Sequence, residues 1–93
     1  SERRPIDELD MAVDARFLDD GTIEMLFVTG RFACGVRAFA PGWMPDDAYF
    51  GIEPGVRRRI LLRPLLSGQA PSSITVTAIN AEGRLRVAPE RIA

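Results

Sequence analysis

Residues 46–62 read DDAYFGIEPGVRRRILL, and the reading of these seventeen residues decides the fold. Glu53-Pro54-Gly55 fits a turn with proline preset at its second position and glycine supplying a positive φ at its third. On either side the side chains alternate with a period of two, as strands require. Upstream, residues 46–52 are expected to form a short strand with Tyr49 and Phe50 facing opposite ways. Downstream, residues 56–63 place Val56, Arg58, Ile60 and Leu62 on a core face, with Arg58 near its rim, and Arg57, Arg59, Leu61 and Arg63 on the other. The arginine run is thereby divided between faces, where it suits cross-strand ion pairs rather than an anion site.

Working backwards, residues 40–45 (APGWMP) hold two prolines, which exclude a helix, and are read as a loop. Residues 32–39 regain strand character, with Phe32, Cys34, Val36 and Ala38 expected on one side. Ala33 and Gly35 on the other leave room for a close approach. Residues 22–29 set Ile23, Met25 and Phe27 against Leu26 and Val28, two apolar faces that mark a central strand or one covered by a neighbouring domain. Residues 11–17 alternate Met11, Val13, Ala15 and Phe17 with Ala12, Asp14 and Arg16, and Asp20-Gly21 joins the two runs as a hairpin signal.

Forwards from the turn, residues 64–73 form a longer connection. Residues 74–80 alternate Ile74, Val76 and Ala78 with Thr75, Thr77 and Ile79, Glu82-Gly83 makes another turn, and residues 85–87 add a short strand. Residues 1–10 read as a linker or arm and residues 89–93 as a tail, leaving residues 11–88 as the domain. Six or seven short strands without a helix of ordinary length predict an all-β fold, an immunoglobulin-like antiparallel sandwich, with a small barrel as the alternative.

Composition removes much chemistry. The chain of 93 residues is one domain at most. With no histidine it lacks the commonest general base and metal ligand, and Ser/His/Asp or Cys/His catalysis is excluded within it. Cys34 is alone, so there is no disulfide framework or cysteine metal site, and it is read as a small core residue. A net charge of −1 argues against a nucleic-acid partner, and no apolar run approaches a membrane span. All twelve basic residues are arginine, a feature read as compositional. The pairs Asp19-Asp20 and Asp46-Asp47 could in principle act as glycosidic carboxylates, but each sits beside a turn, where aspartate bonds its own backbone. No catalytic residue, cofactor site or metal site is assigned. Trp43 is read as packing on its own core edge or against a neighbouring domain, with a sugar-stacking platform as the alternative, and the Tyr49 hydroxyl is expected to reach a rim partner.

The segment Asp47-Ala48-Tyr49-Phe50-Gly51-Ile52-Glu53-Pro54-Gly55, followed by Val56-Arg57-Arg58-Arg59-Ile60, resembles a motif near the C-terminus of β-mannosidases and related family 2 glycoside hydrolases. That motif runs Asp-Asn-Tyr/Phe-Phe-x-Leu-x-Pro-Gly. Asp47, Tyr49, Phe50, Pro54 and Gly55 carry the likeness, while Ala48 and Glu53 stand where the family usually has asparagine and an apolar residue.

The resemblance implies a non-catalytic terminal sandwich of a multidomain retaining β-glycosidase, whose catalytic glutamates lie on a separate (β/α)8 barrel. The start at Ser1 fits a piece of a longer chain. Its partners would be the other domains of the same polypeptide, with carbohydrate as the parent enzyme's substrate. Trp43, Met44, Leu26 and Val28 are expected to make the inter-domain contact. A periplasmic or secreted location is compatible with such a parent enzyme, and the residues here assign none.

Overall fold

A computed structural model describes residues 3–66 and 70–91. Ten strands follow in order: β1 (Arg4–Pro5), β2 (Ala12–Phe17), β3 (Ile23–Val28), β4 (Ala33–Phe39), β5 (Trp43–Pro45), β6 (Phe50–Ile52), β7 (Arg58–Pro64), β8 (Ile74–Thr77), β9 (Ala81–Glu82) and β10 (Leu85–Val87). One four-stranded antiparallel sheet has the order β2-β3-β7-β5, the other β10-β8-β4-β6, and they pack face to face as a β-sandwich. A short parallel pair, β1-β9, closes one end. These are the ABED and CFG pairing orders of the immunoglobulin plan. Here the chain crosses to the D position with β5 first, then returns to add β6 beside β4 before entering β7.

Among the described residues the sandwich has eight strands where six or seven were expected, because β5 lies in the stretch read as a loop. Its pairs are Trp43 with Pro64, Met44 with Arg63 and Pro45 with Leu62. β5 is an edge strand, so Pro45 can sit there without removing a ladder hydrogen bond. The strand expected over residues 46–52 shortens to Phe50–Ile52, since Tyr49 adopts a φ of 57°.

The hairpin forms as expected: Gly21 has a φ of 87°, its N–H donates to the Leu18 carbonyl, and the Leu18 N–H donates to the Thr22 carbonyl. From β3, Ile23, Met25 and Phe27 enter the core and meet Val36, Ile52, Ile74 and Val76 of the opposite sheet. Phe27 and Phe50 join the two sheets edge to face, with centroids 5.2 Å apart. Each such aromatic pair contributes about 1 kcal/mol beyond its buried area.

Four expectations change. Residues 1–10 are more than an arm: Ile6 to Leu9 form a 3-10 turn whose eclipsed i, i+3 positions bury Ile6 and Leu9. The Leu9 carbonyl also accepts from the Gly30 N–H at 2.9 Å. In the tail, Glu90 bridges to Arg16, using backbone groups that the open edge of β2 leaves unpaired.

In β4, Ala33 pairs with Ile52 and Val36 with Phe50, so a bulge intervenes, and Gly35 has a φ of 59°. The inserted residue flips side-chain parity. Ala33, Val36 and Ala38 point inward, while Phe32 is exposed and Cys34 is half-buried. The close approach expected at Gly35 is made by Ile79, whose side chain occupies the space a Cβ would take there. Val56 is also exposed rather than in the core, because the turn holds the chain until β7 begins at Arg58.

Candidate functional site

The motif stretch folds as one unit between β5 and β7. Asp46 extends the edge pairing: its N–H donates to the Leu61 carbonyl at 2.9 Å, and its carboxylate accepts from the Leu61 N–H at 3.0 Å. Asp47 accepts from the Ala48 N–H at 2.9 Å and pairs through its other oxygen with the Arg58 guanidinium. That guanidinium lies over the Phe50 ring, 5.0 Å from its centroid, and Phe50 in turn packs on Phe27. Arg58 Nε is enclosed without a hydrogen-bond partner among the described residues. At the turn, the Val56 N–H donates to the Glu53 carbonyl at 3.1 Å, and Gly55, with a φ of 75°, donates its N–H to the Thr29 carbonyl at 2.9 Å. Asp47, Phe50, Pro54 and Gly55 thus each have a local structural task.

Tyr49 differs from its neighbours. It is 60% exposed, and its hydroxyl finds no partner among the described residues, contrary to the rim contact expected for it. A positive φ at a bulky residue is uncommon and turns the ring outward.

The residues expected at an inter-domain contact do not form one patch. Trp43 is only 9% exposed and packs edge to face on Phe17 at 6.2 Å, with the Arg91 guanidinium 4.9 Å from the Phe17 centroid. Met44, one residue on, faces outward. Leu26 is half-buried and Val28 exposed on the outer side of β3. Leu26 pairs with Arg59 and Met44 with Arg63, four residues along β7. That is roughly 13 Å at 3.3 Å per residue.

The same outer face carries Glu24, whose carboxylate accepts from Arg16 Nε at 2.8 Å and Arg59 Nε at 2.6 Å. Hydrogen bonds from Arg59 and then Arg16 hold the Glu24 carboxyl below the usual carboxylate range. It is therefore ionised and a poor proton donor near neutrality. Beside it a shallow hollow of about 370 Å³ is lined by Asp14, Ala15, Arg16, Glu24, Leu26 and Glu90. This cluster was legible as cross-strand pairing of the arginines. Its position within the expected apolar surface was not, since it depends on which strands are neighbours.

Of the two acidic pairs, Asp20 and Asp47 bond backbone groups of their own turns, whereas Asp46 bonds across to β7. The Asp20 carboxylate accepts from the Thr22 hydroxyl at 2.6 Å and the Thr22 N–H at 3.0 Å, and these bonds lower its pKa. Among the described residues no group of three or more Cys, Asp or Glu side chains is placed to hold a metal ion. A second hollow, about 310 Å³, lies between Trp43, Pro41, Pro71 and Ser73.

The residue that sequence reasoning passed over is Asn80. Its side-chain oxygen accepts from the Cys34 N–H at 3.0 Å and its amide donates to the Phe32 carbonyl at 2.9 Å, spanning the β4 bulge. An asparagine in the turn between β8 and β9, 46 residues from its partner in the chain, carries no local signal of that pairing.

The fold and these groups define an antiparallel β-sandwich module built around a locked turn motif. Searches of family models, curated proteins and solved structures found no match to this chain.

Proposed function

We propose that the chain is a non-catalytic accessory domain of a multidomain glycoside hydrolase resembling β-mannosidase, with a role in packing and rigidifying the assembly. The observation that carries this reading is the Asp47-Arg58-Phe50 clamp with its Pro54-Gly55 turn. Of the residues of the resemblance, Asp47, Phe50, Pro54 and Gly55 serve local structure, which is what a structural signature of such a domain requires. Glu24, held ionised between two arginines, is likewise suited to surface structure rather than acid catalysis.

An independent carbohydrate-binding module is the weaker reading. Stacking on a sugar needs an open aromatic face, and Trp43 is packed against Phe17.

The test is the coding sequence upstream of Ser1. A continuous reading frame of several hundred residues that includes a (β/α)8 barrel with a pair of glutamates at the C-terminal ends of its strands is expected. A frame that begins close to Ser1 overturns the proposal. Titration of the isolated domain with mannosides is expected to give no binding at millimolar sugar; saturable binding abolished by Trp43→Ala would favour the carbohydrate-binding module instead.

A further inference from the structure

The two outer faces of the sandwich treat their charges differently. On β2, β3 and β7, Arg16 and Arg59 both pair with Glu24. On β4, β8 and β10, the outward positions include Arg37, Phe39, Thr75, Thr77 and Arg86, with Ile79 following Thr77. None is acidic. Arg86 stands opposite Thr75, which stands opposite Phe39, and Arg37 stands opposite Thr77, so the side chains lie in adjacent cross-strand rows. Neither Arg37 nor Arg86 has a carboxylate partner among the described residues, and exposed Arg84 immediately precedes β10.

The Arg37 guanidinium sits 4.8 Å from the Phe39 ring centroid. Stacked on the ring, it can turn its N–H edge to a planar anion, the geometry that suits bidentate carboxylate pairing. Beyond it the surface becomes apolar. Ile79, 59% exposed, lies over Gly35, and the exposed Phe32 ring lies over Gly51, 3.8 Å from where a Cβ would stand.

We propose that the outer face of the β10-β8-β4-β6 sheet docks an acidic polypeptide surface, its carboxylates meeting Arg37 and Arg86 and its apolar side chains covering Phe39, Phe32 and Ile79. Charge complementarity selects this occupant. Two or three arginines are too few for a polyphosphate ligand, which relies on many such contacts. Two copies meeting symmetrically through this face would oppose their own guanidinium groups. Arginine beside exposed aromatic rings is the composition enriched at the centres of protein interfaces. The inference does not depend on the glycosidase reading, and the two can fail separately.

The test is a titration of the 15N-labelled chain with a synthetic peptide alternating glutamate with leucine and valine, followed by amide shifts. The matching glutamine peptide and heparin serve as comparisons. Shifts confined to Phe32, Arg37, Phe39, Thr75, Thr77, Ile79 and Arg86 are expected, with binding at least tenfold weaker for the glutamine peptide and for the R37Q/R86Q chain. Phe39→Ser is expected to weaken binding severalfold, and Arg57→Gln, in the turn before β7, to leave it unchanged. Each variant alters an exposed residue, and its dispersed spectrum verifies folding before titration. The proposal is overturned by an absence of shifts at millimolar peptide, by equal binding of the glutamine peptide, or by shifts on the Glu24 face. It is also overturned by heparin binding indifferent to Phe39→Ser, or by a self-association through this face that R37Q/R86Q abolishes.

Discussion

The side chain of Asn80 spans the bulge in β4, its oxygen accepting the Cys34 N–H at 3.0 Å while its amide donates to the Phe32 carbonyl at 2.9 Å. One side chain thus supplies partners to two backbone groups of β4 beside the place where the extra residue shifts its register against β6. Asn80→Ala leaves both backbone groups without these partners, and Asn80→Asp keeps the acceptor while losing the donor. Unpaired groups of this kind cost roughly 1–3 kcal/mol. Urea denaturation is expected to rank the chains wild type, N80D, N80A in falling stability, with a loss of about 1–3 kcal/mol for N80A. Equal midpoints for N80A and wild type would remove the bridging role.

The same bulge sets a test of backbone against packing. Gly55 and Gly35 both have positive φ, 75° and 59°, but a Cβ at Gly55 meets open space whereas one at Gly35 meets Ile79. Gly55→Ala therefore reports the left-handed backbone cost alone, about 1–2 kcal/mol. Gly35→Ala is expected to cost more, and the excess to shrink in an Ile79→Ala background. Thermal melts of the four variants and wild type check this: equal losses for G55A and G35A would mean that Ile79 swings aside freely.

What the chain reveals on inspection, and what it hides, follows from the range of the physics involved. The hairpin at Gly21 and the turn at Pro54-Gly55 were legible because each depends on neighbouring residues and a glycine with positive φ. The inward set of β3 was legible from period two alone. The outward position of Phe32 was hidden, because a one-residue bulge inverts parity and only the pairing with β6 reveals it. β5 was hidden by its proline, harmless only because that strand ends up at an edge. Ile6 and Leu9 were hidden because two apolar residues in a charged segment make no periodic signal. At the candidate site, the division of the arginine run was readable. That Asp47 would clasp Arg58 over Phe50 required the folded turn between them.

Glu24 links the outer face of the first sheet to pH. Its folded pKa lies below the ordinary carboxylate value, so the folded state binds fewer protons than the unfolded state as pH falls through that range. The stabilisation is complete above the unfolded pKa and is lost as pH falls through the folded one. Asp20 contributes with the same sign. Urea midpoints measured from pH 2 to 7 are expected to rise with pH, and less steeply for Glu24→Gln. Because Arg16 and Arg59 are largely exposed, high salt is expected to narrow the difference between the two chains. Identical pH slopes would show that the carboxylate contributes nothing.

Trp43 and Met44 are adjacent in β5 yet belong to different environments. Trp43→Ala removes a buried ring from its contact with Phe17, a change in the class that costs about 3–5 kcal/mol. Met44→Ser changes an exposed side chain and is expected to stay within about 0.5 kcal/mol. Since Trp43→Ala removes the chain's one tryptophan, urea denaturation followed by far-UV circular dichroism compares both variants with wild type. A destabilising M44S paired with a silent W43A would reverse the assigned orientation of β5.

Arg58 poses the finest balance in the motif. Its guanidinium pairs with Asp47, yet the two side chains are 37% and 47% exposed, so water screens the pair and its net worth is about 0–1 kcal/mol. Its Nε is enclosed and, among the described residues, unpartnered, a desolvation cost that offsets the gain. The guanidinium also lies over the Phe50 ring, and an apolar, flexible methionine can cover the same ring with its thioether. Arg58→Met is therefore expected to match or exceed wild-type stability, while Arg58→Ala, which uncovers Phe50, is expected to lose about 1–2 kcal/mol of buried apolar contact. Asp47→Ala is expected to cost less than R58A, since it leaves Arg58 in place. The double variant D47A/R58M should show little coupling in a denaturation cycle. A strongly destabilised R58M would mean that the ion pair, rather than the covered ring, holds the motif together.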